Sequence, residues 1–188
     1  EPRPRLEFRE TVIAPDAIAP APPGVDADTP YLWGALLRSQ QMAGALGAAR
    51  DLAVRYTGER IAFGRPLNRL QAVRQNLAVL AGQAAAAEVA ADMTIDALVH
   101  PDVDLEEVVA LARLRINEAA EIGARLAHQA HGAIGFTYEH PLHQATRRLW
   151  AWRDEFGNDS YWAERIGRRL VEGGADRFWT TMTRISQL

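Results

Sequence analysis

Apolar residues recur three and four positions apart through most of this chain, and simple alternation is confined to its beginning. Residues 6–13, Leu-Glu-Phe-Arg-Glu-Thr-Val-Ile, alternate at first and end β-branched, which predicts a strand. Residues 14–30 then hold Pro15, Pro20, Pro22, Pro23 and Pro30 with Gly24, the composition of an extended linker. A lone strand is not stable by itself, so this arm over residues 1–30 is expected to dock elsewhere, as the remnant of a sheet outside this sequence. From Thr29 the period lengthens. Asp28 or Thr29 caps a helix with Pro30 at its first position. That helix runs to about Arg60, roughly 45 Å at 1.5 Å per residue. A second starts near Asn68 and places Leu70, Val73, Leu77, Leu80, Ala84 and Ala87 on one stripe. His100-Pro101-Asp102 ends it. Asp104, with Glu107 three residues on, predicts a capped start for a third helix carrying Leu105, Val108, Leu111, Ile122 and Leu126 towards Gln129. Gly132, Gly135 and Pro141 mark a turn into a helix that runs through about Trp152, and a last helix covers roughly residues 160–171. Long helices joined by short corners predict an all-α fold, an antiparallel up-and-down helical bundle over residues 31–188 with an N-terminal extended arm.

Composition narrows the function. With 48% hydrophobic residues, the 188-residue chain has enough apolar material for a core. A net charge of -3 argues against nucleic-acid binding through phosphate neutralisation. All 21 basic residues are arginine, and there is no cysteine for a disulfide, a thiolate nucleophile or an iron–sulfur cluster. No apolar run reaches membrane-spanning length and no signal peptide is visible, so a cytoplasmic protein away from the membrane is expected. The chain opens on Glu1 rather than Met, which suggests a fragment or a processed product.

The chemistry concentrates at two helix corners. Residues 55–71, Arg-Tyr-Thr-Gly-Glu-Arg-Ile-Ala-Phe-Gly-Arg-Pro-Leu-Asn-Arg-Leu-Gln, end one long helix on a cation and an aromatic, turn on Gly64 and Pro66, and open the next. A fixed cation beside a Gln suits an anion joined to a flat polar ring. By itself an arginine at a helix C-terminus more often satisfies carbonyls and the helix dipole. The stretch resembles the "YxxxRxxFGxPLxxxQ" signature of the acyl-CoA dehydrogenase C-terminal helical domain. That resemblance implies FAD as cofactor, an acyl-CoA substrate, and α,β-desaturation of its thioester. It implies that Arg60 binds the FAD pyrophosphate across a subunit interface, with Phe63 packed at the flavin site and Gln71 in contact with FAD.

Residues 129–142, Gln-Ala-His-Gly-Ala-Ile-Gly-Phe-Thr-Tyr-Glu-His-Pro-Leu, resemble the same family's "QxxGGxGYxxExP" corner, with Ala133 in place of the second Gly. The resemblance assigns Gln129, Gly132 and Ala133 to FAD held by a neighbouring subunit. His128, His131, His140 and His143 form two pairs at spacing three, but no acidic or thiol ligand is placed to complete a metal set, so no metal is expected. The ring-dense run over residues 149–162 reads as core or subunit packing.

The family's catalytic base is a glutamate in one of two positions, and neither holds one here. One position falls on Leu37, beside a retained family arginine, Arg38, the candidate substrate contact. The other falls on Phe156, with Glu155 one residue off as the candidate base. One residue on a helix turns a side chain by about 100°. The "RRLWAWRDEFG" run resembles base-lacking subunits of heteromeric bacterial acyl-CoA dehydrogenases of steroid side-chain breakdown. Two readings follow: a subunit whose partner supplies the base, or a homo-oligomer that uses Glu155. A dimer or tetramer with another such subunit is expected. A helical scaffold without flavin is the alternative from a different class.

Overall fold

The computed structural model describes residues 7–185. Five helices are formed: α1 (Thr29–Glu59), α2 (Gln71–Asp96), α3 (Leu105–His131), α4 (Leu142–Trp152) and α5 (Asp159–Ile185). The first three pack against one another, α2 running antiparallel to α1 and α3; α4 lies on α1 and α3, and α5 on α3. The core is made of small side chains at three-and-four spacing. Met42, Leu46, Ala49 and Ala53 of α1 meet Leu80, Ala84, Ala87 and Ala91 of α2 and Ile116, Ala120, Ala124 and Ala127 of α3, while Leu36 packs with Val109, Ala110 and Trp162 in a second cluster. Alanine and glycine let these helices approach closely. A Cβ on Gly123 of α3 would lie 2.3 Å from Leu46 Cδ1 on α1. Polar ties cross the same seams: Gln40 Nε2 donates to Ala91 O at 2.7 Å, and Arg115 Nη2 to Gln83 Oε1 at 2.6 Å.

The start of α3 is capped as expected, with Asp104 accepting from the N–H groups of Glu106 and Glu107. Arg165 and Arg169 of α5 pair with Glu106, and Arg169 also with Asp104, which fastens α5 to that end. At α1 the cap lies further upstream. Asp26 accepts from Thr29 N–H at 2.9 Å while its own N–H donates to Thr29 Oγ1 at 3.0 Å, and Asp28 makes no side-chain cap.

Two expectations need correcting. Residues 7–13 form no strand, and residue 6 of the expected one lies outside the described residues: between residues 7 and 28 the arm holds only a 3-10 turn at Pro15–Ala17, and its Phe8, Val12 and Ile13 side chains are exposed. Pairing is what makes a strand, and among the described residues nothing pairs with this segment. The last helix runs on past residue 171 to Ile185, bending at Gly174, where φ is 76°.

Candidate functional site

The helix order brings four chain ends to one end of the bundle: the last turns of α1 and α3 and the first turns of α2 and α4. The α1–α2 connection is a miniature hairpin. Ile61–Ala62 pairs antiparallel with Arg65–Pro66 around Phe63 and Gly64, whose φ values are 54° and 74°. Two consecutive left-handed residues make a type I′ turn. Glycine adopts that conformation freely; phenylalanine pays for it. The Phe63 ring is 88% exposed, so packing within the chain does not offset the strain.

Arg60 is the C-cap of α1, its N–H bonded to Tyr56 O at 2.8 Å. Its side chain is exposed and makes no ion pair or hydrogen bond among the described residues. Gln71 opens α2 and is exposed. Gln129, Gly132 and Ala133 stand at the end of α3, all exposed. Gly132 ends α3 with φ 64°, and nothing lies within 4 Å of where its Cβ would be. This end of the bundle therefore gathers all six expected cofactor residues and presents an unpaired guanidinium, an unpacked aromatic ring and open backbone. Such surfaces fit a diphosphate joined to a ring system.

The histidines line the same end from inside. His131 is buried and stacks on Tyr56 at 4.8 Å between centroids; His128 stacks on Phe136 at 4.2 Å. No group of three or more metal-ligating side chains is gathered among the described residues.

The second set of expected residues lies elsewhere. Arg38 and Arg60 stand on one helix about 33 Å apart, at 1.5 Å per residue. Arg38 pairs with Glu155 and lies over the Trp152 ring, 4.7 Å from its centroid. Both side chains are largely covered, at 19% and 15% exposure. The structure thus joins the expected substrate arginine to the expected base, and the carboxylate is engaged by a guanidinium. Leu37 points outward at 55% exposure. Phe156 takes a left-handed φ of 54° and lays its ring against Gly34, where a Cβ would fall 2.3 Å from Cε1.

Sequence reasoning missed Arg113. It is wholly buried. Its Nη2 lies 3.1–3.2 Å from the carbonyl oxygens of Trp152, Arg153, Glu155 and Gly157, which fixes the loop carrying Glu155 and Phe156. Burial pushes its guanidinium down to about 10, still charged at neutral pH. The signal was present: Arg113 falls on the buried stripe of Val109, Ile116 and Ala120.

These features define a helical-bundle domain with a strained, cationic corner at one end. The chain belongs to the acyl-CoA dehydrogenase family, residues 32–171 matching its C-terminal domain. It is 34% identical over 145 residues to acyl-CoA dehydrogenase IpdE2 of Mycobacterium tuberculosis, covering 77% of this chain and 40% of that one. Butyryl-CoA dehydrogenase of Megasphaera elsdenii shares the fold, with a TM-score of 0.72 at 22% identity over 76% of this chain and 37% of that one. The ChsE4–ChsE5 complex of M. tuberculosis is similar at TM-score 0.65 and 26% identity, over 77% of this chain and 39% of that one. The chain spans 40% or less of the length of the curated relatives it matches.

Proposed function

We propose that this chain is the C-terminal helical part of an FAD-dependent acyl-CoA dehydrogenase that desaturates an acyl-CoA thioester. In this reading it presents its Arg60 corner to the dinucleotide of a neighbouring subunit and supplies no catalytic base of its own. The observation that carries the reading is the pairing of an exposed, unengaged Arg60 with a strained, unpacked Phe63. A cation and a ring held out at an energetic cost suit a ligand from outside the chain. Arg60 takes the diphosphate; Phe63, Gln71, Gln129, Gly132 and Ala133 line the rest. When bound, the flavin supplies the hydride acceptor for oxidation of a CH–CH bond.

The base-lacking reading is supported by Leu37 and Phe156 at the two family positions and by the engagement of Glu155 with Arg38. The arm, with Phe8, Val12 and Ile13 exposed, suits docking against the middle β domain of such an enzyme. The test is co-expression with genomic neighbours and an assay of acyl-CoA oxidation. Glu155→Gln is expected to leave the rate within a few-fold, whereas removing a general base costs about 10²- to 10⁴-fold. Activity of the protein without a partner, abolished by Glu155→Gln, would overturn the heteromeric reading.

A further inference from the structure

The two corners assigned to the dinucleotide come from different helices, and a stack of rings joins them. Tyr56, whose carbonyl holds the Arg60 N–H, lies nearly parallel to His131 at 22°. His131 is the last residue of α3, directly before Gly132. His140, from the loop that follows, meets His131 at 4.5 Å and Tyr56 edge-on at 6.1 Å between centroids. Behind them His128 reaches Thr146 Oγ1 on α4 at 2.8 Å. Gly135 closes the corner: a Cβ there would lie 2.9 Å from His131 Cβ and 3.3 Å from His128 Nδ1.

Hydrogen bonding sets the tautomers. His131 Nδ1–H donates to Ala127 O at 2.7 Å, which leaves Nε2 bare and buried. The Thr146 hydroxyl donates to Leu142 O at 3.3 Å, so His128 Nε2–H donates to Thr146 Oγ1 and its buried Nδ1 is bare. A proton on either bare nitrogen would be buried, which favours the neutral ring.

We propose that the Tyr56–His131–His140 stack is the positioning element that holds the Gly132 corner in register with Arg60, and that it holds only while His131 is neutral. The inference rests on the proposed flavin role of this end of the bundle. None of the three rings need touch the ligand; they act through Gly132, Gln129 and Arg60. Burial pushes His128 and His131 below the ordinary imidazole range, and for His131 the neighbouring His140 and His128 add to it while the Ala127 and Leu52 carbonyls oppose it. The titratable groups facing His131 are Tyr56 from α1, His140 from the loop and His128 from α3; no carboxylate acts on it. The sign follows. The opened corner binds protons more readily than the packed one, so packing is complete above the ordinary value of 6.5 and weakens as pH falls below it.

The test is flavin retention by the co-expressed complex from about pH 5 to about pH 8, followed by the fluorescence of released flavin, in the parent, His131→Phe, Tyr56→Phe, Tyr56→Ala and Arg60→Ala. The parent is expected to shed flavin as pH falls below about 6.5. His131→Phe keeps a ring that cannot be protonated and moves the release midpoint to lower pH. Tyr56→Phe retains flavin like the parent, and Tyr56→Ala releases it roughly 10-fold more readily even at the alkaline end. If Tyr56→Ala does not fold, the His131→Phe profile decides. A His131→Phe profile superimposable on the parent's, with Arg60→Ala shedding flavin, overturns the stack's role and leaves the flavin reading standing. An Arg60→Ala complex that keeps its flavin overturns that reading and this inference with it.

Discussion

Residues in this bundle divide by whether their surroundings account for them. Arg113 is accounted for inside the chain: one guanidinium nitrogen faces four carbonyls at the end of α4 and in the loop that follows. Arg113→Met is expected to cost about 3–5 kcal/mol in urea unfolding, the range for stripping a buried charged group from its partners. Phe63 is the opposite case. Its ring packs on nothing while its backbone is strained. Phe63→Asn, which tolerates a left-handed φ, is expected to raise stability by about 1 kcal/mol in urea unfolding while weakening flavin retention. That Arg60, Phe63, Gln71 and Gln129 fall at helix ends or corners was legible, because short patterns mark them. The Arg38–Glu155 pair and the carbonyl partners of Arg113 were not legible, because each depends on where α4 ends against α1 and α3; only the burial of Arg113 was marked, by its place on the α3 stripe.

At the scale of elements, the three-and-four spacing located the helices, and the departures have local causes. The α1–α2 corner is a type I′ hairpin rather than a simple turn, and a Phe in the left-handed region hides the usual Asn-Gly signal. The segment 7–13 has the composition of a strand and no partner among the described residues. Caps make the helix ends testable. Asp104→Ala removes the acceptor for Glu106 and Glu107 N–H and an ion pair with Arg169, and is expected to cost about 1 kcal/mol, read from the urea midpoint. At α1, hydrogen bonds from Thr29 hold the Asp26 carboxyl below its ordinary value of 3.8. Its contribution to the helix start is therefore present above that value and lost as pH falls through the lowered one.

For the molecule as a whole, what is left uncovered matters as much as what is packed. Among the described residues no helix is long and apolar enough to cross a membrane. Yet an apolar groove runs between α2 and α3, lined by Ala85, Ala86, Val89, Met93, Leu111 and Ala112. If the assembly proposed above uses this face, the groove is where a helix of another subunit would pack. Val89→Arg, at a side chain 59% exposed here, is expected to lower the assembled mass in sedimentation without loss of helical signal. The central claim is that the Arg60 corner holds the dinucleotide of a neighbouring subunit, and the flavin affinity of the assembled complex tests it most directly. Arg60→Ala is predicted to weaken flavin binding by roughly 10- to 150-fold, matching a charge-assisted contact of about 1.5–3 kcal/mol, with the oligomer intact. Unchanged affinity in an intact oligomer would contradict the account.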